Sequence, residues 1–168
     1  MDVNILVGGA AGQGMDTIMN MTGIALARAG YRIISSKDYM SRVRGGHNFT
    51  RLRISSDTPW ANVAETDILI ALNEETYHLH KASLRDGARV IYDPEEFSLG
   101  EADERALPVP LGKLAIEAGS PIMANVVAVG ALAALLGMGL DRFESIIRET
   151  FSDKPQFIDG KDRKSTRL

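Results

Sequence analysis

Near its start the chain carries a run with apolar side chains on both faces. "VNILV", Val3 to Val7, passes into "GGAAGQGMDT", Gly8 to Thr17, and then into a helical pattern. A strand apolar on both faces is typical of a parallel sheet covered by helices above and below. This stretch therefore directs the chain towards α/β architectures, and the rest of the sequence follows. Strands are expected at Tyr31–Ser35, Phe49–Ser55, Asp67–Leu72 and Ala88–Asp93, with a proline-bearing edge strand in "ALPVPL". Helices are expected from Met15 to Ala29 with Gly30 as the stop, from Glu74 to Arg85 with Asp86–Gly87 as the stop, and from Leu111 to Ala118. Another follows the cap Ser120–Pro121, and a last amphipathic one spans Leu140 to Phe151. Ser36 to Asn48 has no period and reads as a loop with at most one helical turn. No helix clearly precedes Phe49–Ser55, so that strand is expected to run antiparallel. The fold class is α/β: a three-layer α/β/α single domain with a mostly parallel sheet, Rossmann-like, over residues 1–151. Residues 152–168 read as an irregular, charged tail, like a truncated, frame-shifted or appended end.

At 168 residues one domain with a real core is the default. A formal charge of −3 leaves no basic excess for nucleic acid. The chain has no cysteine, so it supplies neither disulfides nor thiolate ligands for zinc or iron–sulfur clusters. That fits a reducing, cytoplasmic setting. The start lacks the cationic flank and long apolar run of a signal peptide. Ile122 to Leu140 is apolar but interrupted by Asn125 and the "GMG" of Gly137–Gly139, which suits a buried core helix and not a membrane span.

The glycine loop admits several chemistries. Gly9, Gly12 and Gly14 form G-x-x-G-x-G, whereas the dinucleotide fingerprint is G-x-G-x-x-G, and Thr17 stands where its third glycine would be. The spacing from Gly9 to Gly14 matches a P-loop, but Met15 and Asp16 occupy the Lys and Ser/Thr positions. Asp16, in the first turn of the helix, would face any phosphate bound there. Ser35, Ser36 and Lys37 at the end of the second strand could still receive a 2′-phosphate, so an NADP module remains open. So do close strand–helix packing, with no ligand, and a site shared with a partner.

"SRVRGGHNFTRLRI", Ser41 to Ile54, is the most unusual segment. Arg42 and Arg44 precede Gly45 and Gly46, while Arg51 and Arg53 share one strand face with Phe49. Four guanidiniums make an anion-attracting segment, because arginine holds phosphate or carboxylate bidentately. A solvated, salt-bridged strand face is the plainer alternative. In order along the chain, the glycine loop, "YMSRVRGGHNFTRLRIS" and "ANVVAVGALAALLG" resemble the gamma subunit or gamma domain of 2-oxoacid:ferredoxin (acceptor) oxidoreductases. The likeness is strongest to the gamma portion fused to alpha in 2-oxoglutarate-type enzymes and spans roughly Val3 to Phe151. It implies a multisubunit enzyme that oxidatively decarboxylates a 2-oxoacid to an acyl-CoA and passes electrons to ferredoxin. This chain would be its gamma component, inactive alone and without catalytic residues of its own. The alpha and thiamine-binding beta components would be its partners, and thiamine diphosphate and iron–sulfur clusters would sit on them. No nucleic acid or membrane partner is implied. Coenzyme A would be shared at the interface, with Arg42, Arg44, Gly45, Gly46, His47 and Asn48 facing it. The glycine loop, Gly9, Gly12, Gln13 and Gly14, would lie beside them at the strand end.

Smaller signals remain. His78 and His80 diverge on a helix, make a poor metal pair and read as surface residues. No metal site is expected. His47, next to Gly46, could hold an anion or act as acid or base. Asn125 in an apolar helix implies either a core hydrogen bond or a ligand contact. Met15, Met19 and Met21 read as core packing, and Trp60 as a contact surface.

Overall fold

A computed structural model describes residues 2–39, 46–99, 103–139 and 141–151. Its strands are β1 (Asp2–Gly9), β2 (Arg32–Tyr39), β3 (Asn48–Ser55), β4 (Thr66–Ala71), β5 (Leu84–Tyr92) and β6 (Ala106–Pro108). The helices are α1 (Met15–Arg28), α2 (Glu74–His80), α3 (Leu111–Glu117), α4 (Ala124–Leu135) and α5 (Asp141–Thr150), with short 3-10 turns at Lys81–Ser83 and Pro121–Met123. The strands form one sheet in the order β2-β3-β1-β4-β5-β6. The pairs β1–β4, β4–β5 and β5–β6 are parallel, and β3 is antiparallel to both β1 and β2. The sheet is mostly parallel, as expected, and the antiparallel strand is β3, also as expected.

Alternate residues of the central strands feed two cores, because successive side chains point to opposite faces. Ile5, Val7, Leu52, Ile54, Ile68, Ile70 and Ile91 face α1, α4 and α5. In α1 the buried positions Met15, Ile18, Met19, Thr22, Ala25 and Leu26 recur at three- and four-residue spacing, the stripe of an amphipathic helix. Met15, Met19 and Met21 do pack in the core. Burial of a side chain such as Ile18 or Leu26 stabilises the fold by about 2 kcal/mol. On the opposite face Leu6, Leu69, Ala71 and Val90 are covered by Tyr77 of α2. Asn73 caps α2, its Oδ1 accepting from the Thr76 amide at 2.9 Å and the Thr76 hydroxyl at 2.7 Å. One face thus carries several helices and the other little more than α2. Among the described residues no helix is long and apolar enough to cross a membrane.

Two local expectations are corrected. β2 does not stop at Ser35 but runs to Tyr39, so the first four residues of the segment read as an aperiodic loop are strand. It lacks a period because β2 is an edge strand with most residues exposed, and its backbone is held by β3 alone. The helix expected to reach Arg85 ends at His80, and Leu84 already begins β5. Pairing then jumps from Thr66↔Leu84 to Ile68↔Arg89, a bulge that contains Gly87 at φ +79°. The "DG" signal marks this bulge, not a helix end. The tail 152–168 lies outside the described residues.

Candidate functional site

Because β3 pairs antiparallel with β1, the turn that leaves β1 and the connection that enters β3 share one end of the sheet. Gly8 stands opposite Phe49, and Gly9 opposite Asn48. Across β3, Asp38 pairs with Phe49 and Tyr39 with Asn48. The two motifs, distant in sequence, border an open cleft of about 320 Å³, lined by Gly12, Gly14, Asp16, Tyr39, Asn48 and Thr50 among others. Arg42, Arg44 and Gly45 lie outside the described residues; Gly46, His47 and Asn48 lie within them.

The glycines of the loop do different work. A Cβ on Gly9 would come within 2.6 Å of Gln13 Oε1 and 3.0 Å of Leu72 Cβ, so Gly9 permits close packing. Gln13 is a staple: its Oε1 accepts from the Ala10 amide at 2.6 Å and its Nε2 donates to the Leu72 carbonyl at 3.1 Å. Gly12 and Gly14 have φ of +89° and +80°, the left-handed region that favours glycine. Gly14 caps α1, and a Cβ there would fall within 2.6 Å of Asn125 Cγ and 2.7 Å of its Oδ1. Asn125, in the first turn of α4, is half-buried and makes no side-chain hydrogen bond to another described residue. The core hydrogen bond considered for it is absent among these residues, and its amide remains available beside the glycine loop.

Two charges at this end are committed to each other. Lys37 Nζ lies 2.7 Å from Asp16 Oδ1, and that contact holds the lysine pKa above its ordinary value. Asp16 therefore does not confront the cleft as a bare carboxylate, and Lys37 is not a free 2′-phosphate ligand. The arginines of β3 separate as well. Arg53 binds both oxygens of Asp2, at 3.0 and 2.8 Å, and donates to the Ala61 carbonyl at 2.7 Å, at the far end of β1. For Arg53 the salt-bridged reading is the right one. Arg51 instead lies over the Phe49 ring, 5.1 Å from its centroid.

His47 is not the lone loop histidine that the sequence suggests. Its Nε2 is 2.8 Å from Nε2 of His80, and the two residues are only 2% and 8% exposed. His80 is corrected from a surface position to a buried one, while His78 is exposed and lies 3.5 Å from Glu74. The Phe49 ring meets His80 edge-on at 4.7 Å and stacks on His47 at 5.7 Å. Burial, then the nearby His47 and Arg51, pushes the His80 pKa down to about 4. Burial also lowers that of His47, against a smaller pull from Glu75. Gly8 makes room for this packing: a Cβ there would come within 2.6 Å of Thr76 Cγ2 and 3.0 Å of His47 Cε1. Sequence reasoning missed Gly8, Thr76 and His80. One signal was present: two histidines that diverge on a helix cannot both face solvent when the helix lies on a sheet. Among the described residues no cluster of three His, Cys, Asp or Glu could hold a metal.

Residues 4–160 match the family described as "Pyruvate ferredoxin/flavodoxin oxidoreductase". The chain is 30% identical over 150 residues to the 2-oxoglutarate synthase subunit KorC of Archaeoglobus fulgidus, covering 88% of this chain and 78% of that protein. It is also 37% identical over 86 residues to the alpha subunit of a Sulfolobus 2-oxoacid:ferredoxin oxidoreductase, of whose length it spans only 14%. Among solved structures, a gamma subunit of keto/oxoacid ferredoxin oxidoreductase from Geobacter sulfurreducens superposes with a TM-score of 0.76 at 25% identity, covering 95% of this chain and 94% of that one. A 2-oxoglutarate:ferredoxin oxidoreductase from Magnetococcus marinus, solved with 2-oxoglutarate, coenzyme A and succinyl-CoA bound, gives 0.81 at 26% identity over 99% of this chain and 32% of that one. The NADP module is not favoured, because β3 occupies the place beside β1 that a dinucleotide fold gives to the strand carrying the ribose ligand. By sequence and by fold, the chain belongs to the pyruvate ferredoxin/flavodoxin oxidoreductase family.

Proposed function

We propose that the chain is the non-catalytic gamma component of a 2-oxoacid:ferredoxin oxidoreductase and helps to enclose coenzyme A at the shared active site. The observation that carries this reading is the convergence of the glycine loop and the entry to β3 on one open cleft. Among the described residues the one carboxylate lining the cleft, Asp16, is held by Lys37 and is not poised as a general base, which suits enclosure better than catalysis. Asn125 supplies an uncommitted amide beside Gly14, and Gly12, with nothing near its Cβ position, allows close backbone approach. Arg42 and Arg44, by their position before Gly45 and Gly46, would reach the phosphates of the ligand, and His47 and Asn48 would complete the loop. Thiamine diphosphate and iron–sulfur clusters belong on the alpha and thiamine-binding partners, since this sequence has no cysteine to ligate a cluster. Those partners decarboxylate the 2-oxoacid and pass electrons to ferredoxin. In this reading the chain works in the cytoplasm.

The test is the assembled enzyme with Arg42→Ala/Arg44→Ala or Asn125→Ala. Each variant should raise the apparent KM for coenzyme A several-fold and leave that for the 2-oxoacid unchanged. The arginine defect should deepen with salt, because exposed charges are screened. Unchanged coenzyme A dependence in both variants would overturn the reading. So would a dose-dependent rise in the thermal midpoint of the chain with NADPH and none with coenzyme A.

A further inference from the structure

We propose that His47 and His80 form a clasp, closed while both imidazoles are neutral, that fixes the entry of β3 against α2 and so positions Asn48 at the cleft. The chemistry follows from the ring atoms. A neutral imidazole offers one N–H and one lone pair, so two neutral rings 2.8 Å apart share one N–H···N bond. His47 Nδ1 is buried without a partner. An unpaired acceptor is cheaper to bury than an unpaired donor, so His47 is the Nε2–H donor and His80 the acceptor. The site is shaped for the pair. Gly8 of β1 brings no side chain, the Thr76 methyl of α2 abuts that gap, and the Phe49 ring of β3 packs on both imidazoles.

Protons disturb this arrangement in two steps. The first leaves an N–H···N bond but places a cation between two rings that are almost fully buried. The second removes the last lone pair and sets two donors against each other. The charged groups facing the pair are Arg51 of β3, which opposes added positive charge, and exposed Glu75 of α2, which favours it on His47. Opening to solvent releases the penalty. With His80 near pKa 4 when closed and 6.5 when open, linkage makes opening about 30-fold more favourable at pH 5 than for the neutral pair, and about 150-fold at pH 4. His80 is then a positioning residue, acting through His47 on the segment that lines the cleft. Its consequence for coenzyme A rests on the proposed function, but the clasp does not.

The clasp is therefore tested on the chain alone, without coenzyme A. Amide exchange at Gly46–Thr50, corrected for the intrinsic pH dependence, reads local opening. Protection should fall about 20-fold from neutral pH to pH 5 and stay below that of Leu6 and Leu69, which exchange only on global unfolding. His80→Gln retains a neutral donor and acceptor and should shrink the fall to a few-fold. Long-range imidazole nitrogen spectra of the unaltered chain should show one Nε2–H and one Nδ1–H tautomer for the pair, both titrating below 6.5. Constant protection of Gly46–Thr50, protection there as high as in the central strands at every pH, an unaltered fall in His80→Gln, or ordinary titration of both rings would each overturn the proposal. If the clasp holds and coenzyme A affinity is indifferent to His80→Gln in the assembled enzyme, the functional reading fails and the clasp stands.

Discussion

Gly14→Ala separates two costs that the structure superimposes at one atom. The first is backbone strain: at φ +80° an L side chain clashes with the following carbonyl, which costs about 1–2 kcal/mol. The second is steric. The new methyl would overlap the Asn125 amide, whose Cγ and Oδ1 lie 2.6 and 2.7 Å from the built position. Because Cγ itself is that close, rotating the terminal amide does not clear the space; the whole side chain must move away from the glycine loop. Displacement of this kind typically costs about 1–3 kcal/mol. The single variant should therefore lose about 2–5 kcal/mol in urea unfolding, read as a lower midpoint at unchanged slope. Asn125→Ala alone should cost about 0.5 kcal/mol, since the half-buried amide has no described partner to lose. The double variant should return to the strain alone, leaving a coupling of about 1.5–3.5 kcal/mol. Gly12→Ala is the control: its φ is +89° and nothing lies within 4 Å of the built Cβ, so it should show strain without coupling to Asn125. Additive costs for Gly14→Ala and Asn125→Ala would refute the contact, and with it the place given to Asn125 beside the glycine loop.

Two further outcomes follow from charges buried away from the cleft. Folding stability should fall between pH 6.5 and 4: the folded pKa of His80 is depressed, so the unfolded chain binds the extra proton in that window, and stability is complete only above it. The loss should approach about 3 kcal/mol, measured by urea midpoints across pH, and a flat profile above pH 4.5 would contradict the burial of His80. Asp103 accepts from Tyr77 Oη at 2.7 Å and from Arg105 at 2.8 and 2.9 Å, which holds its carboxyl below the usual range. Asp103→Asn should cost about 1–3 kcal/mol, given that Arg105 is one-third exposed, and should restore the Tyr77 hydroxyl towards its ordinary titration, visible in its ultraviolet absorbance.

What the sequence revealed and what it hid divide along physical lines. β1, β4 and the buried half of β5 announce themselves because burial on both faces demands unbroken apolar runs. β3 shows its alternation, and the missing helix before it discloses its direction. β2 is obscure because an exposed edge strand carries no burial pattern; its last four residues are extended only because β3 offers them partners. The end of α2 is obscure for a related reason. Leu84 fits a helical stripe, but the bulge around Gly87 lets β5 claim it. The glycine loop was legible as a strand-to-helix turn, whereas its division of labour was not. That Gly9 serves packing and Gly14 meets Asn125 depends on contacts across scores of residues. His80 was legible only as one of two residues that must face different ways.

The insertion of β3 explains why a glycine-rich turn followed by a helix need not hold a nucleotide by itself. In a dinucleotide fold the strand after the first helix lies next to β1, and its end reaches the ribose. Here that strand lies one position further out, displaced by about another 4.8 Å, and the residues that could have met a ligand are bound at home. Lys37 is taken by Asp16, and Gln13 by Ala10 and Leu72. What the described residues leave uncommitted is the Asn48 end of β3 and the bare backbone of Gly12 at the cleft, and the Asn125 amide behind Gly14. Such a set can border a ligand but cannot surround it. Among the described residues no strand lies beyond β2, and the face opposite α1 is covered by α2 and the segment around Phe97 and Leu99. A ligand seated at this end must be completed by groups from outside the described residues: the arginines of the basic loop, a partner component, or both. This is the physical argument for a shared site over a self-sufficient one, and it is why the decisive measurements on the cleft belong to the assembled enzyme.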